Sequence, residues 1–86
     1  MCIRDRDRKR QSPETSYTAK LVDSGISRIA QKVIEEAGEV SLAAATQDKD
    51  SIPSEIADLL YHVLVLISAS DTRPEQVWEE LRRRRG

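Results

Sequence analysis

The chain has 86 residues, 38% of them hydrophobic, with Lys+Arg 14 against Asp+Glu 15 and a formal net charge of -1. Such a length holds one domain at most, and the balanced charge excludes the global positive field of a typical nucleic-acid binder. The lone cysteine, Cys2, closes no internal disulfide, and the charged N-terminus and short apolar runs read as neither a secretory leader nor a membrane span; the expected setting is a reduced cytoplasm, with no nucleic-acid or membrane partner.

In chain order, MCIRDRDRKRQSPE alternates charges and is almost free of apolar residues. Residues 1–15 therefore read as a charged tail, with Pro13 interrupting any helix there. The opening MCIRDR resembles a translated sequencing adapter, so Met1 to about Arg6 are expected to be non-native and part of the natural N-terminus to be missing. The foldable domain is expected to run over 16–86.

From Tyr17 onward the pattern is helical, without β-branched alternation or hairpin-turn pairs. Tyr17 to about Val22 predicts a short helix stopped near Gly25, and Ile26 to about Thr46 a long one. In the long helix Ile26, Ile29, Ala30, Val33, Ile34, Ala37, Val40 and Ala44 recur at the spacing of one buried face.

The polar TQDKDS segment, Thr46 to Ser51, is short enough to imply an antiparallel helical hairpin. Asp50 or Ser51 is expected to cap the next helix, with Pro53 in its first turn. That helix, about Ser51 to Ser70, puts Ile56, Leu59, Leu60, Val63, Leu64 and Ile67 on one face, while Val65 and Leu66 make it apolar nearly all round. A last helix is expected after a Thr72/Glu75 capping box, sending Val77, Trp78 and Leu81 to the core and ending in Arg82 to Arg85. So small a core supplies only about 3 to 5 kcal/mol. The expected architecture is all-α: an antiparallel hairpin with short flanking helices, completed as a bundle by homodimerisation.

Acids crowd these apolar helices. Lys32, Glu35, Glu36 and Glu39 form one ridge beside the first apolar face, and Glu55, Asp58 and His62 form a stripe on the second helix. Facing each other in a hairpin, the stripes gather up to five carboxylates. Two carboxylates about 6 Å apart repel by roughly 3 kcal/mol at an effective dielectric near 20, so either the acids face solvent separately or they hold a cation. An all-oxygen set suits a hard ion, Mg²⁺ or alternatively Mn²⁺, and with it phosphate chemistry. The competing reading is solvated surface decoration, which an aspartate inside IADLLYHVLVLI argues against.

The pattern E-E-x-x-E, fifteen residues, E-x-x-D, here Glu35, Glu36, Glu39, Glu55 and Asp58, resembles the metal-binding signature of the all-alpha NTP pyrophosphatase (MazG-like) superfamily. Within it SYTAKL, RIAQKVIEEAGEV, EIADLLYHVLVL and VWEELRRR are similar to the phosphoribosyl-ATP pyrophosphohydrolases, from Ser16 to the end. The resemblance implies hydrolysis of phosphoribosyl-ATP to phosphoribosyl-AMP and pyrophosphate, the second step of histidine biosynthesis, with Glu35, Glu36, Glu39 and Asp58 as metal ligands and Glu55 as ligand or general base. Lys32, Lys20 and Arg28 are candidate phosphate contacts, each weighed against an ordinary surface or ion-pair role. His62 is either an orienting partner of Asp58 or a satisfied structural histidine, and Tyr61 and Trp78 are assigned to packing.

The family usually carries a further helix ahead of SYT, so the sequence is also compatible with the tail of a bifunctional enzyme bearing a cyclohydrolase domain. Two other readings compete: a MazG-like or dUTPase-like enzyme acting on ordinary nucleoside triphosphates, and a non-catalytic helical dimerisation module.

Overall fold

Side-chain spacing and turn chemistry divide the described residues into four helices. The computed structural model describes residues 13–85: α1 (Pro13–Asp23), α2 (Ile26–Ala45), α3 (Ile52–Ala69) and α4 (Pro74–Arg85), with no strand among the described residues. The tail expected over 1–15 lies mostly outside them. Pro13 opens α1 rather than interrupting it, because a first-turn position needs no amide donor.

Gly25 joins α1 to α2. Its φ of 97° ends the first helix, its amide bonding the Val22 carbonyl at 3.2 Å, and its own carbonyl accepts the first bond of α2 from Ile29. The other two long-helix ends use non-glycine residues in the left-handed region. Gln47 has φ 63° and lets Asp48 N–H reach Ala43 O at 2.9 Å; Asp71 has φ 61° and lets Thr72 N–H reach Ile67 O at 3.1 Å. Both are Schellman closures.

The starts of α3 and α4 differ from expectation in detail. Ser51 takes the N-cap position of α3, but its hydroxyl donates to Asp48 Oδ2 at 2.8 Å instead of accepting from the helix. At α4 the cap falls one residue later than the Thr72/Glu75 box. Gln76 Oε1 accepts the Arg73 amide at 2.8 Å, the return half of a capping box begun at Arg73.

The antiparallel pair α2 and α3 makes the principal packing of the fold, and α1 lies against both. Leu21, Ile29 and Val65 form the buried cluster, flanked by Tyr61 and Leu66, so each of the three helices supplies one anchor. On α2, Ile29 and Ala43 are buried, whereas Ile26, Ile34 and Ala44, expected in the core, are exposed.

On α3 the inward stripe is Glu55, Leu59, His62 and Val65, not the apolar face expected from spacing. Ile56, Leu60 and Leu64 of that expected face point outward. By length and a mean hydropathy of 1.4 this helix is apolar enough to cross a membrane, beyond what the apolar runs suggested. Glu55 and His62 lie on the side packed against α2 and α1.

A second correction concerns α4. Trp78 is 51% exposed and Leu81 is also exposed, and the helix barely touches the other three. Consequently the radius of gyration is 15.5 Å, against roughly 12 Å for a compact domain of this length. Among the described residues α4 has no core to enter.

Candidate active site

The hairpin packs two acidic stripes against each other. From α2, Glu36 is buried at 7% exposure and Glu39 is exposed; from α3, Glu55 is half-buried. One carboxylate oxygen from each of Glu36, Glu39 and Glu55 falls within 4.8 Å of the others. Glu55 Oε1 is shielded from solvent yet has no hydrogen-bond partner. A buried acceptor facing other acceptors is costly without a donor or a cation beside it.

The electrostatics agree. Burial first, and then the Glu39, Asp58 and Glu36 carboxylates, raise the Glu55 carboxyl above its ordinary value. Asp58 is therefore near enough to bear on Glu55, although its own carboxylate is exposed and is not among the three converging oxygens.

Glu35 turns elsewhere. It accepts from Gln31 Nε2 at 3.1 Å and meets Lys32 Nζ at 3.5 Å, and the Gln31 bond, with Lys32 and Arg28 assisting against slight desolvation, lowers its pKa. Lys32 also reaches Glu36 at 3.5 Å. Partial burial opposes the lysine's charge, but Tyr17, Glu35 and Glu36 outweigh it and raise its pKa. Lys20 is exposed in the last turn of α1, and Arg28 is exposed in the first turns of α2.

His62, 6% exposed, does not touch the Asp58 carboxylate. Its Nδ1 lies 2.7 Å from the Asp58 backbone carbonyl, which can only accept, so Nδ1 carries the proton. Nε2 then accepts from Tyr17 Oη at 2.8 Å, tying α1 to α3. Tyr61 Oη hydrogen-bonds Thr18 Oγ1 beside it. Tyr17, Ala57, Asp58, Tyr61 and His62 together line an open cleft of about 380 Å³. Sequence reasoning gave Tyr61 to packing and read Tyr17 only as part of the SYTAKL resemblance; the tyrosine and histidine spaced across two helices were the available signal.

Known proteins place these elements. The phosphoribosyl-ATP pyrophosphohydrolase family model matches residues 6–85, beginning upstream of the Ser16 boundary expected from sequence. A phosphoribosyl-ATP pyrophosphatase of Azospirillum brasilense is 52% identical over 79 residues, covering 92% of this chain and 71% of that protein. One from Sulfurisphaera tokodaii is 46% identical over 78 residues, covering 91% and 83%. The histidine biosynthesis bifunctional protein HisIE of Shigella sonnei is 51% identical over 78 residues, but the chain spans only 38% of that longer protein. Matched through every described helix, the chain belongs to the phosphoribosyl-ATP pyrophosphohydrolase family.

Proposed function

We propose that this chain hydrolyses the α,β-phosphoanhydride of phosphoribosyl-ATP in a cytoplasmic setting, releasing phosphoribosyl-AMP and pyrophosphate as the second step of histidine biosynthesis. Family membership supports the substrate. The observation that carries the chemistry is the convergence of Glu36, Glu39 and Glu55 around an unpartnered buried oxygen.

These three carboxylates fit a hard divalent cation, Mg²⁺ with Mn²⁺ as substitute, because all donors are oxygen and one of them lacks any other partner. Asp58 is a further ligand from the next turn of α3, and Glu35, from its outer position, keeps Lys32 aligned. When bound, such a cation screens the phosphates and polarises the anhydride. Glu55 has the raised proton affinity that a general base for the attacking water needs. Lys32 stands at the edge of the cluster to meet a phosphate oxygen, with Lys20 and Arg28 as more distant anion contacts.

The same reading includes a homodimer. Ile56, Leu60 and Leu64 on α3, with Trp78 and Leu81 on α4, leave an apolar surface that a second copy would cover. The test is pyrophosphate release from phosphoribosyl-ATP with Mg²⁺, beside ATP and dUTP. Preferential metal-dependent turnover of the first is expected; equal turnover of all three, or none, refutes the assignment.

A further inference from the structure

Glu35 and Glu36 are adjacent on α2 and differ in setting. Glu36 is buried and turns into the acidic cluster, whereas the Glu35 side chain is 44% exposed and lies outside the three converging oxygens. Lys32 stands between them, its Nζ 3.5 Å from Glu35 Oε1 and 3.5 Å from Glu36 Oε2. One lysine can serve both because residues three and four positions along a helix share its side. Gln31 fixes the outer arm: its Nε2 donates to Glu35 Oε2 at 3.1 Å, which leaves Oε1 for the ammonium.

The two carboxylates need that ammonium for different reasons. Glu36 is a buried acid facing Glu39 and Glu55, and Lys32 is the cation it pairs with. Without a positive partner such a carboxylate is costly. Glu35 is ionised on its own account, since the Gln31 bond, with Lys32 and Arg28 assisting against slight desolvation, lowers its pKa. It is therefore an anion that stays charged whatever enters the cluster. An ammonium and a divalent ion drawn to the same carboxylate repel each other, so an ion held by Glu36 pushes Lys32 toward Glu35.

We propose that Lys32 is a built-in stand-in for the divalent cation, neutralising Glu36 until the ion arrives, and that Glu35, held by Gln31, is the positioning residue that receives Lys32 on its displacement. The inference rests on the cation-holding reading of Glu36, Glu39 and Glu55 and adds an exchange of ion pairs on α2. No covalent bond changes and no proton moves; the ammonium passes from a shared position to Glu35 alone. It stays at the rim of the cluster instead of returning to solvent. The paired glutamates thus divide their roles, Glu36 toward the ion and Glu35 toward the lysine.

The experiment is calorimetric titration with Mg²⁺ alone in about 0.15 M salt, which screens distant charges, on the wild type, Lys32→Met, Glu35→Gln and the double variant, each checked for helicity by circular dichroism. Lys32→Met binds Mg²⁺ about tenfold tighter than the wild type, because no ammonium has to move, and Glu35→Gln binds it about fivefold more weakly, because the displaced lysine has lost its second partner. In the double variant the Glu35 effect vanishes, and the affinity matches that of Lys32→Met within about twofold. Thermal melts give a second reading: Lys32→Met lowers the metal-free Tm and enlarges the rise that Mg²⁺ produces. A direct ligand role for Glu35 makes its loss persist in the Lys32→Met background, and that result overturns the proposal, as does a Lys32→Met affinity no tighter than the wild type. Either result with Mg²⁺ still bound defeats the exchange and leaves the proposed reaction standing. No Mg²⁺ binding by any of these proteins refutes the cation reading together with the exchange.

Discussion

The two faces of α3 reverse the usual order of a small soluble helix. Its inward face carries Glu55 and His62 alongside Leu59 and Val65, and its outward face carries Ile56, Leu60 and Leu64. Burial of apolar area normally selects the inward face; here the polar groups go in and much of the apolar area stays out. The inward face is arranged for charge, with Glu55 left short of a partner. The outward face leaves an apolar strip exposed.

The sharpest way to break that contrast is on the inward side. Glu36→Gln or Glu55→Gln is expected to lower Mg²⁺-dependent pyrophosphate release by roughly 10²- to 10⁴-fold, measured by a coupled phosphate assay, while leaving metal-free helicity intact. Full activity in either variant removes the acidic cluster from the chemistry. On the outward side, Leu60→Glu places a charge where the second copy is expected. It should cost about 3 to 5 kcal/mol of dimer stability and shift sedimentation toward the monomer; an unchanged sedimentation coefficient breaks the dimer reading.

A pH series separates the faces further. The folded-state pKa of Glu55 is raised above its unfolded value, by burial and then by its carboxylate neighbours. Between the two values the native state holds more protons than the unfolded one, so stability falls as pH rises through that interval. Metal-free thermal melts should therefore decline from the acidic side toward neutrality, and Mg²⁺ should flatten the decline by binding the native state only. A metal-free melting temperature that rises over this interval contradicts the crowded cluster. Glu55→Gln should abolish the slope, whereas Leu60→Glu should leave its sign unchanged.

Much of this organisation is legible in the sequence, but unevenly. The hairpin follows from two apolar periodicities and a six-residue polar connection, and the acids declare themselves by spacing alone. The inward face of α3 does not, because a helix apolar all round gives periodicity no contrast to report. Glu35 shares the ridge and the E-E-x-x-E pattern with Glu36, yet neighbours on a helix diverge by about 100°, and Gln31 and Lys32 hold it on the outer side. Trp78 and Leu81 look like core residues in any local window; only packing shows that the described residues leave them exposed. The start of α1 at Pro13 was hidden by reading proline as a breaker when it stood at a first turn.

The smallest expected effect serves as a control on both faces. Gln47 and Asp71 close α2 and α3 in the left-handed region without glycine's freedom. Gln47→Gly and Asp71→Gly should each raise stability by about 1 kcal/mol, read from urea denaturation, with metal dependence unmoved. A loss of stability in either would mean that the side chain outweighs its backbone strain.

The Tyr17 to His62 bond spans 45 positions of the chain, whereas the carboxylates of Glu39 and Glu55 meet across a single short connection. Nearby segments close sooner and at smaller entropic expense than remote ones. In time, then, the hairpin brings its converging acids together first and α1 latches on afterwards, pivoting at Gly25. Pulse-labelled hydrogen exchange during refolding should find α2 and α3 amides protected ahead of those in α1; simultaneous protection would refute that order. On this sequence of events the three converging carboxylates are in place before the Tyr17 to His62 bond closes over α3.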